Sequence, residues 1–145
     1  MPYYQRNPRQ FTPRAPVKTF RDLEVYQKTM EASVLIMKNL KAKLARLGFP
    51  FAEQFTNGAM AIPLFIAEAH SVRFADNHSG KILLERSMAG CNKMVVYLEQ
   101  IRGMYGSRLA DEGLVEDLIK RYSDVRTKIF HLEKSWEKFQ REKQA

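Results

Sequence analysis

The stretch Asp111-Glu-Gly-Leu-Val-Glu-Asp-Leu-Ile-Lys-Arg-Tyr-Ser-Asp-Val-Arg-Thr-Lys-Ile-Phe-His-Leu-Glu-Lys-Ser-Trp-Glu-Lys-Phe139 decides the fold class. Val115, Leu118, Tyr122, Val125, Ile129, Leu132, Trp136 and Phe139 follow one another at spacings that alternate between three and four without a fault. A period near 3.5 gathers all eight on one stripe of a helix, as in the seam of a left-handed bundle. A strand would need strict alternation, which is absent. The sequence therefore predicts a long, straight helix from about Asp111, with one face committed to a core.

Working back along the chain, Leu23, Tyr26, Met30, Val34, Met37, Leu40, Leu44 and Leu47 repeat the pattern and predict a first helix from Phe20. Gly48 and Pro50 stand where a C-terminal glycine and a following proline should. A second helix is expected from about Ala52 to Phe74, with Phe55, Met60, Ile62, Ile66 and Ala69 facing one way. Pro63 removes one backbone hydrogen bond there and should kink it. Asp76, Asn77 and Ser79 offer N-caps for a third helix to about Tyr105, with Leu83, Ser87, Gly90, Met94, Tyr97 or Leu98, Ile101 and Met104 inward. Ser87 and Gly90 would let a neighbour approach closely at Gly58, Ala59 and Ala61. Gly103, Gly106 and Ser107 mark the break before the last helix. Helices of roughly 30 to 40 Å joined by short connections predict an all-α, antiparallel, up-down-up-down four-helix bundle over residues 20–145.

Residues 1–19 differ in kind. Four of the chain's six prolines fall there, with Arg6, Arg9, Arg14 and Lys18, no acid, and the aromatics Tyr3, Tyr4 and Phe11. This is a Pro/Arg-rich arm with little to bury, expected to be flexible. Two readings of it stand, a solvated tail or an arm that contacts phosphates and stacks on bases.

With 145 residues, 45% of them apolar, the chain is long enough to enclose one core without disulfides or metal. Its 24 Lys and Arg against 16 Asp and Glu give a formal charge of +8, which favours anionic partners. Cys91 stands alone, so no intrachain disulfide forms, and a thiol among small and apolar neighbours reads as reduced and buried. The N-terminal stretch lacks the apolar run of a signal peptide, and no segment approaches the roughly 18 apolar residues of a membrane span. A soluble, cytoplasmic protein without a membrane or small-molecule partner is expected.

Bundles that carry out metal chemistry place a Glu-x-x-His pair on two helices. No Glu precedes His70, His78 or His131 by three, and His131, between Ile129 and Leu132, reads as a boundary or core residue. Nucleophilic use of Cys91 would need a base and an electropositive setting, whereas Gly90 and Met94 point to helix packing. Gly103, Gly106 and Gly113 lack the strand and lysine of a phosphate loop. No enzymatic site, cofactor or metal is expected.

The cations are unevenly spread. Between Ala32 and Ala52 there is no acid, while Lys38, Lys41, Lys43 and Arg46 gather near the end of the first helix. The helix macrodipole alone favours cations there, and a solvated basic face is common. In an up-down bundle, however, Arg102 and Arg108 fall at the same end, giving a rim of Lys41, Lys43, Arg46, Arg102 and Arg108 that would hold a nucleic-acid backbone without reading sequence. Lys134, Lys138, Arg141 and Lys143 interleave with Glu133, Glu137 and Glu142 at helical spacing, which reads as a solvated face. Trp136 and Phe139 opposite them are either core or exposed anchors of an oligomer interface.

Three landmarks carry a family resemblance: Phe20-Arg21-Asp22-Leu23-Glu24-Val25-Tyr26, Ile62-Pro63-Leu64-Phe65-Ile66-Ala67-Glu68, and Ala89-Gly90 followed by Leu98-Glu99. In this order, across most of residues 20–104, the chain resembles the four-helix-bundle proteins encoded in intervening sequences of bacterial 23S ribosomal RNA genes. It equally resembles their relatives, the accessory variability proteins of diversity-generating retroelements. The resemblance implies a proline inside the second helix and a homo-oligomer, typically a pentamer. For the retroelement branch it also implies binding of RNA or DNA and of a reverse transcriptase through a basic surface. This chain has Phe65, Ala69, Cys91 and Met94 where the family commonly has Asn, Gly, Ser and, near Met94, Glu. With the basic arm, those departures favour the retroelement branch, and the family supplies no catalytic residues to carry over.

Overall fold

The computed structural model describes residues 17–109 and 111–144, and among these there is no β-strand. Five α-helices follow in order: α1 (Glu24–Asn39), α2 (Lys41–Leu47), α3 (Ala52–Val72), α4 (Asn77–Tyr105) and α5 (Glu112–Gln144). Short 3-10 turns occupy Phe20–Asp22 and Gly106–Leu109. The expected arm residues Arg6, Arg9 and Arg14 lie outside the described residues.

The first expected helix is two helices behind a separate turn. The Thr19 hydroxyl accepts from the Arg21 amide at 3.2 Å, and the Asp22 carboxylate accepts from the Thr19 amide at 3.0 Å. This capping box closes one 3-10 turn, after which Leu23 steps out to an extended φ of −75° and ψ of 123° before α1 begins. At Leu40 the backbone relaxes to φ −115° and ψ −32°, which separates α1 from α2. The Leu40 amide still donates to the Ile36 carbonyl and the Leu40 carbonyl still accepts from Leu44, both at 2.9 Å. Leu40 and Leu44 are wholly buried on either side of the break. Gly48 ends α2 in the left-handed region at φ 77°, letting its own amide and that of Phe49 reach the Leu44 carbonyl at 3.0 and 3.1 Å.

α3 carries Pro63 inside it, buried, and seats Phe55, Ala59, Ile62, Ile66 and Ala69 in the core. Met60, expected to face inward, is 46% exposed, because two residues before Ile62 is more than half a turn around the helix. α4 starts where the cap residues said it would, with Asp76 accepting from the Ser79 amide at 3.1 Å. It runs through Gly103 and ends at Tyr105, which is buried in place of the expected Met104. α3 and α4 approach closely at Gly90, where an added Cβ would sit 2.9 Å from Ile62 Cγ1, and at Gly58, where it would meet Met94 Sδ at 3.5 Å. The small-residue contact is thus real, with Ile62 and Met94 as the opposing side chains.

α5 puts Val115, Leu118, Tyr122, Val125, Ile129 and Trp136 into the core. Phe139 is 49% exposed, Leu132 is half-buried, and Glu133, expected on a solvated face, is buried. His131 is exposed. Cys91 is wholly buried and burial pushes its thiol up to about 12. The buried Tyr122 hydroxyl has no hydrogen-bond partner, and burial raises its pKa. No helix among the described residues is long and apolar enough to cross a membrane.

Candidate nucleic-acid interface

Contacts between distant residues define two ends of the molecule. At one, Phe49 before α3 meets Tyr105 at the close of α4, ring centroids 6.3 Å apart, and Lys43 Nζ donates to the Leu109 carbonyl at 3.4 Å. At the other, Glu24 at the start of α1 pairs with Lys128 at 2.7 Å, and Phe74 after α3 meets Phe139 at 6.4 Å. The 3-10 turn that precedes α1 packs on α3 at this second end, and Asp22 acts electrostatically on His70.

The first end carries the rim expected from the sequence, and it is less cationic than the expectation. Lys43 is ion-paired with Asp111. Arg102 binds Glu116 at 2.6 Å and lies 3.9 Å from Glu99; these carboxylates raise its pKa, its hydrogen bond to Glu116 most of all. Arg108 lies 5.4 Å over the Tyr105 ring and donates to the Met104 carbonyl at 3.3 Å. Lys38, Lys41 and Arg46 are exposed, with no carboxylate within ion-pair distance among the described residues. The correction is local: two of the five rim cations are neutralised, Lys43 by Asp111 just before α5 and Arg102 by Glu116 of α5, which a reading by helix face did not set against them. Lys18 is exposed on the other end, its backbone amide donating to Asp22 at 2.9 Å.

That second end holds groups the sequence reading did not single out together. The Arg73 guanidinium lies between two rings, its Cζ 4.2 Å from the Phe74 centroid and 4.6 Å from that of Trp136. Burial lowers the Arg73 pKa, and its Nε has no hydrogen-bond partner. His70 lies 6.4 Å from Trp136, its Nε2 also without a partner; burial first, and then the Arg73 charge, lower its pKa. Gly80 lets α4 start against this corner, since a Cβ there would come within 2.9 Å of Arg73 Cβ. Lys81 reaches across to Glu137 at 2.7 Å and Glu133 at 3.9 Å. Glu133 is raised in pKa, first by burial and then by the charge of Glu85. The only sequence signal for this corner was the doubt over Trp136 and Phe139, and the structure divides them, Trp136 being core at 7% exposure and Phe139 surface.

Among the described residues no group of three His, Cys, Asp or Glu side chains could hold a metal ion. No family model, curated protein or solved structure matches this chain.

Proposed function

We propose that this chain is a non-catalytic nucleic-acid-binding protein, an accessory of a diversity-generating retroelement that associates with a reverse transcriptase and its template RNA. The observation that carries the reading is the set of exposed cations without acidic partners, Lys38, Lys41 and Arg46, on a chain of net charge +8. Unpaired surface cations are those that take over from the counterions of a phosphate backbone. The family resemblance supplies the retroelement and the reverse transcriptase, and the lone reduced thiol of Cys91 suits a cytoplasmic setting. The resemblance also supplies assembly into a homo-pentamer, while the short connections between long helices support the finer architecture, an antiparallel up-down-up-down four-helix bundle with α1 and α2 counted as one helix. The exposed apolar side chains Met30, Val34, Met60 and Leu64 suit a surface covered by another copy.

A second reading has an observation in its favour. The neutralised pairs Lys43–Asp111 and Arg102–Glu116 fit a structural or protein-interaction bundle of the 23S intervening-sequence type, whose charge serves solubility. Titration of RNA into the full-length protein at increasing salt separates the two. The first reading expects affinity to fall steeply, with a log–log slope of about −0.7 for each phosphate contacted on a single strand. Absence of binding at low salt, or binding indifferent to salt, would leave the second reading. A solution mass tests the pentamer.

A further inference from the structure

We infer that the end of the molecule where residue 17 enters is a stacking platform for single-stranded nucleic acid, with Phe74 and Phe139 receiving bases and Arg73 receiving a phosphate. The inference rests on the nucleic-acid reading above and gives it a place and a strand form. Phe74 is 62% exposed and Phe139 49%, and the two rings stand edge to face at 6.4 Å. The other strongly exposed phenylalanines have different neighbours: Phe51 leans on Phe49 and Tyr97, and Phe130 on His131 at 5.8 Å. Among the described residues, two strongly exposed phenylalanine rings pair with each other at Phe74 and Phe139.

Arg73 supplies the charge. Its guanidinium carbon lies over the Phe74 and Trp136 rings, with no carboxylate partner among the described residues. A planar fork, already desolvated on its faces, suits the geometry of a phosphate. Next to the phenylalanine pair, Asn77, His78, Lys81, Glu137, Gln140 and Arg141 line a shallow, open groove of about 310 Å³. The amides of Asn77 and Gln140 can serve a base edge there, and Arg141 makes no ion pair among the described residues. The basic stretch with Arg6, Arg9 and Arg14 joins the described chain at this end, beside exposed Lys18, so a polyanion is the occupant that the charge selects. Exposed rings take up unstacked bases, which a duplex does not offer, and this sets the preference for a single strand.

Trp136, the only tryptophan, packs on Arg73 and reports from inside the site. The test titrates full-length protein with a short oligouridylate and, separately, with an RNA duplex of the same length, reading anisotropy and Trp136 emission. The single strand should bind more tightly and shift the emission. Phe74→Ala and Phe139→Ala should each weaken it about tenfold, and Phe74→Leu, which keeps the apolar bulk without the ring, nearly as much. Arg73→Lys should cost about fivefold. Duplex affinity and helical circular dichroism should hold in all four. Single-strand binding that survives both alanine variants, or that leaves Trp136 emission unmoved, overturns the platform while the nucleic-acid reading stands. Failure of the parent protein to bind either RNA overturns both.

Discussion

The two ends of this molecule carry similar inventories of cations and use them differently. At the Phe49–Tyr105 end the aromatic rings pack on one another, while Lys43 and Arg102 face Asp111 and Glu116 across the gaps between elements. At the Phe74–Phe139 end the rings hold a cation between them, and Arg73 is left without a carboxylate. Counting charges by position would rank the first end as the stronger binding surface. Counting charges that remain after pairing narrows the difference: among the described residues Lys41, Arg46 and Arg108 stay without a carboxylate at the first end, and Lys18, Arg73 and Arg141 at the second. A basic side chain is available to a partner only when its own fold has not already spent it.

This contrast can be broken most severely at Trp136. Trp136→Ala removes the buried ring beneath Arg73 and should destabilise the protein by about 3 kcal/mol in denaturant unfolding. A loss under about 1 kcal/mol would mean that the second end is not packed as described. Gly80→Ala comes next. Its new Cβ would meet Arg73 Cβ at 2.9 Å and the Ala69 carbonyl at 3.2 Å, and the strain should outweigh the gain in helix propensity by about 1 kcal/mol. Thermal melts of that variant, compared with Gly103→Ala, where a Cβ meets nothing within 4 Å, would isolate the crowding.

A pH series sharpens the comparison further. Because burial and Glu85 raise the Glu133 pKa, the folded state holds that proton more tightly than the unfolded chain does. The resulting stability is present in full below the ordinary glutamate range and is lost as pH rises through the raised value. Glu133→Gln should therefore melt higher than the parent at neutral pH, with the difference shrinking as the pH falls through the raised value towards 4.5. An unchanged melting difference across that range would contradict the burial of the carboxyl. The smallest effect is expected at the other end. Lys43→Ala removes a half-exposed ion pair with Asp111 and should cost under about 1 kcal/mol, less still at high salt.

Much of the fold was legible because its signals are local. The three–four spacing of α5, the glycine after Leu47 and the Asp76 cap each act through neighbours in sequence, and the structure places them as read. Thr19-x-x-Asp22 is an equally local signal for the turn before α1. The break at Leu40 had no such mark, since Asn39-Leu40-Lys41 contains neither glycine nor proline. Leu40 itself keeps a bond to Ile36 and one from Leu44, and the break shows in its backbone angles and in the interrupted helix around it. Glu133 and the paired rim cations were illegible for another reason. Each depends on which side chains a different helix sets opposite, Lys81 and Glu85 in one case, Asp111 and Glu116 in the other, and periodicity within one helix carries no such information.

The buried thiol of Cys91 offers a clock. Wholly enclosed in α4 and pushed up to about 12, it has neither access nor a useful thiolate fraction while the helices stay together. A disulfide reagent at mild alkaline pH can therefore label it only in the moments when the core comes apart. The labelling rate, set against that of a free thiol, gives the frequency of opening in the native protein. The same measurement made with nucleic acid bound would show how far occupation of the surface slows the breathing of the interior.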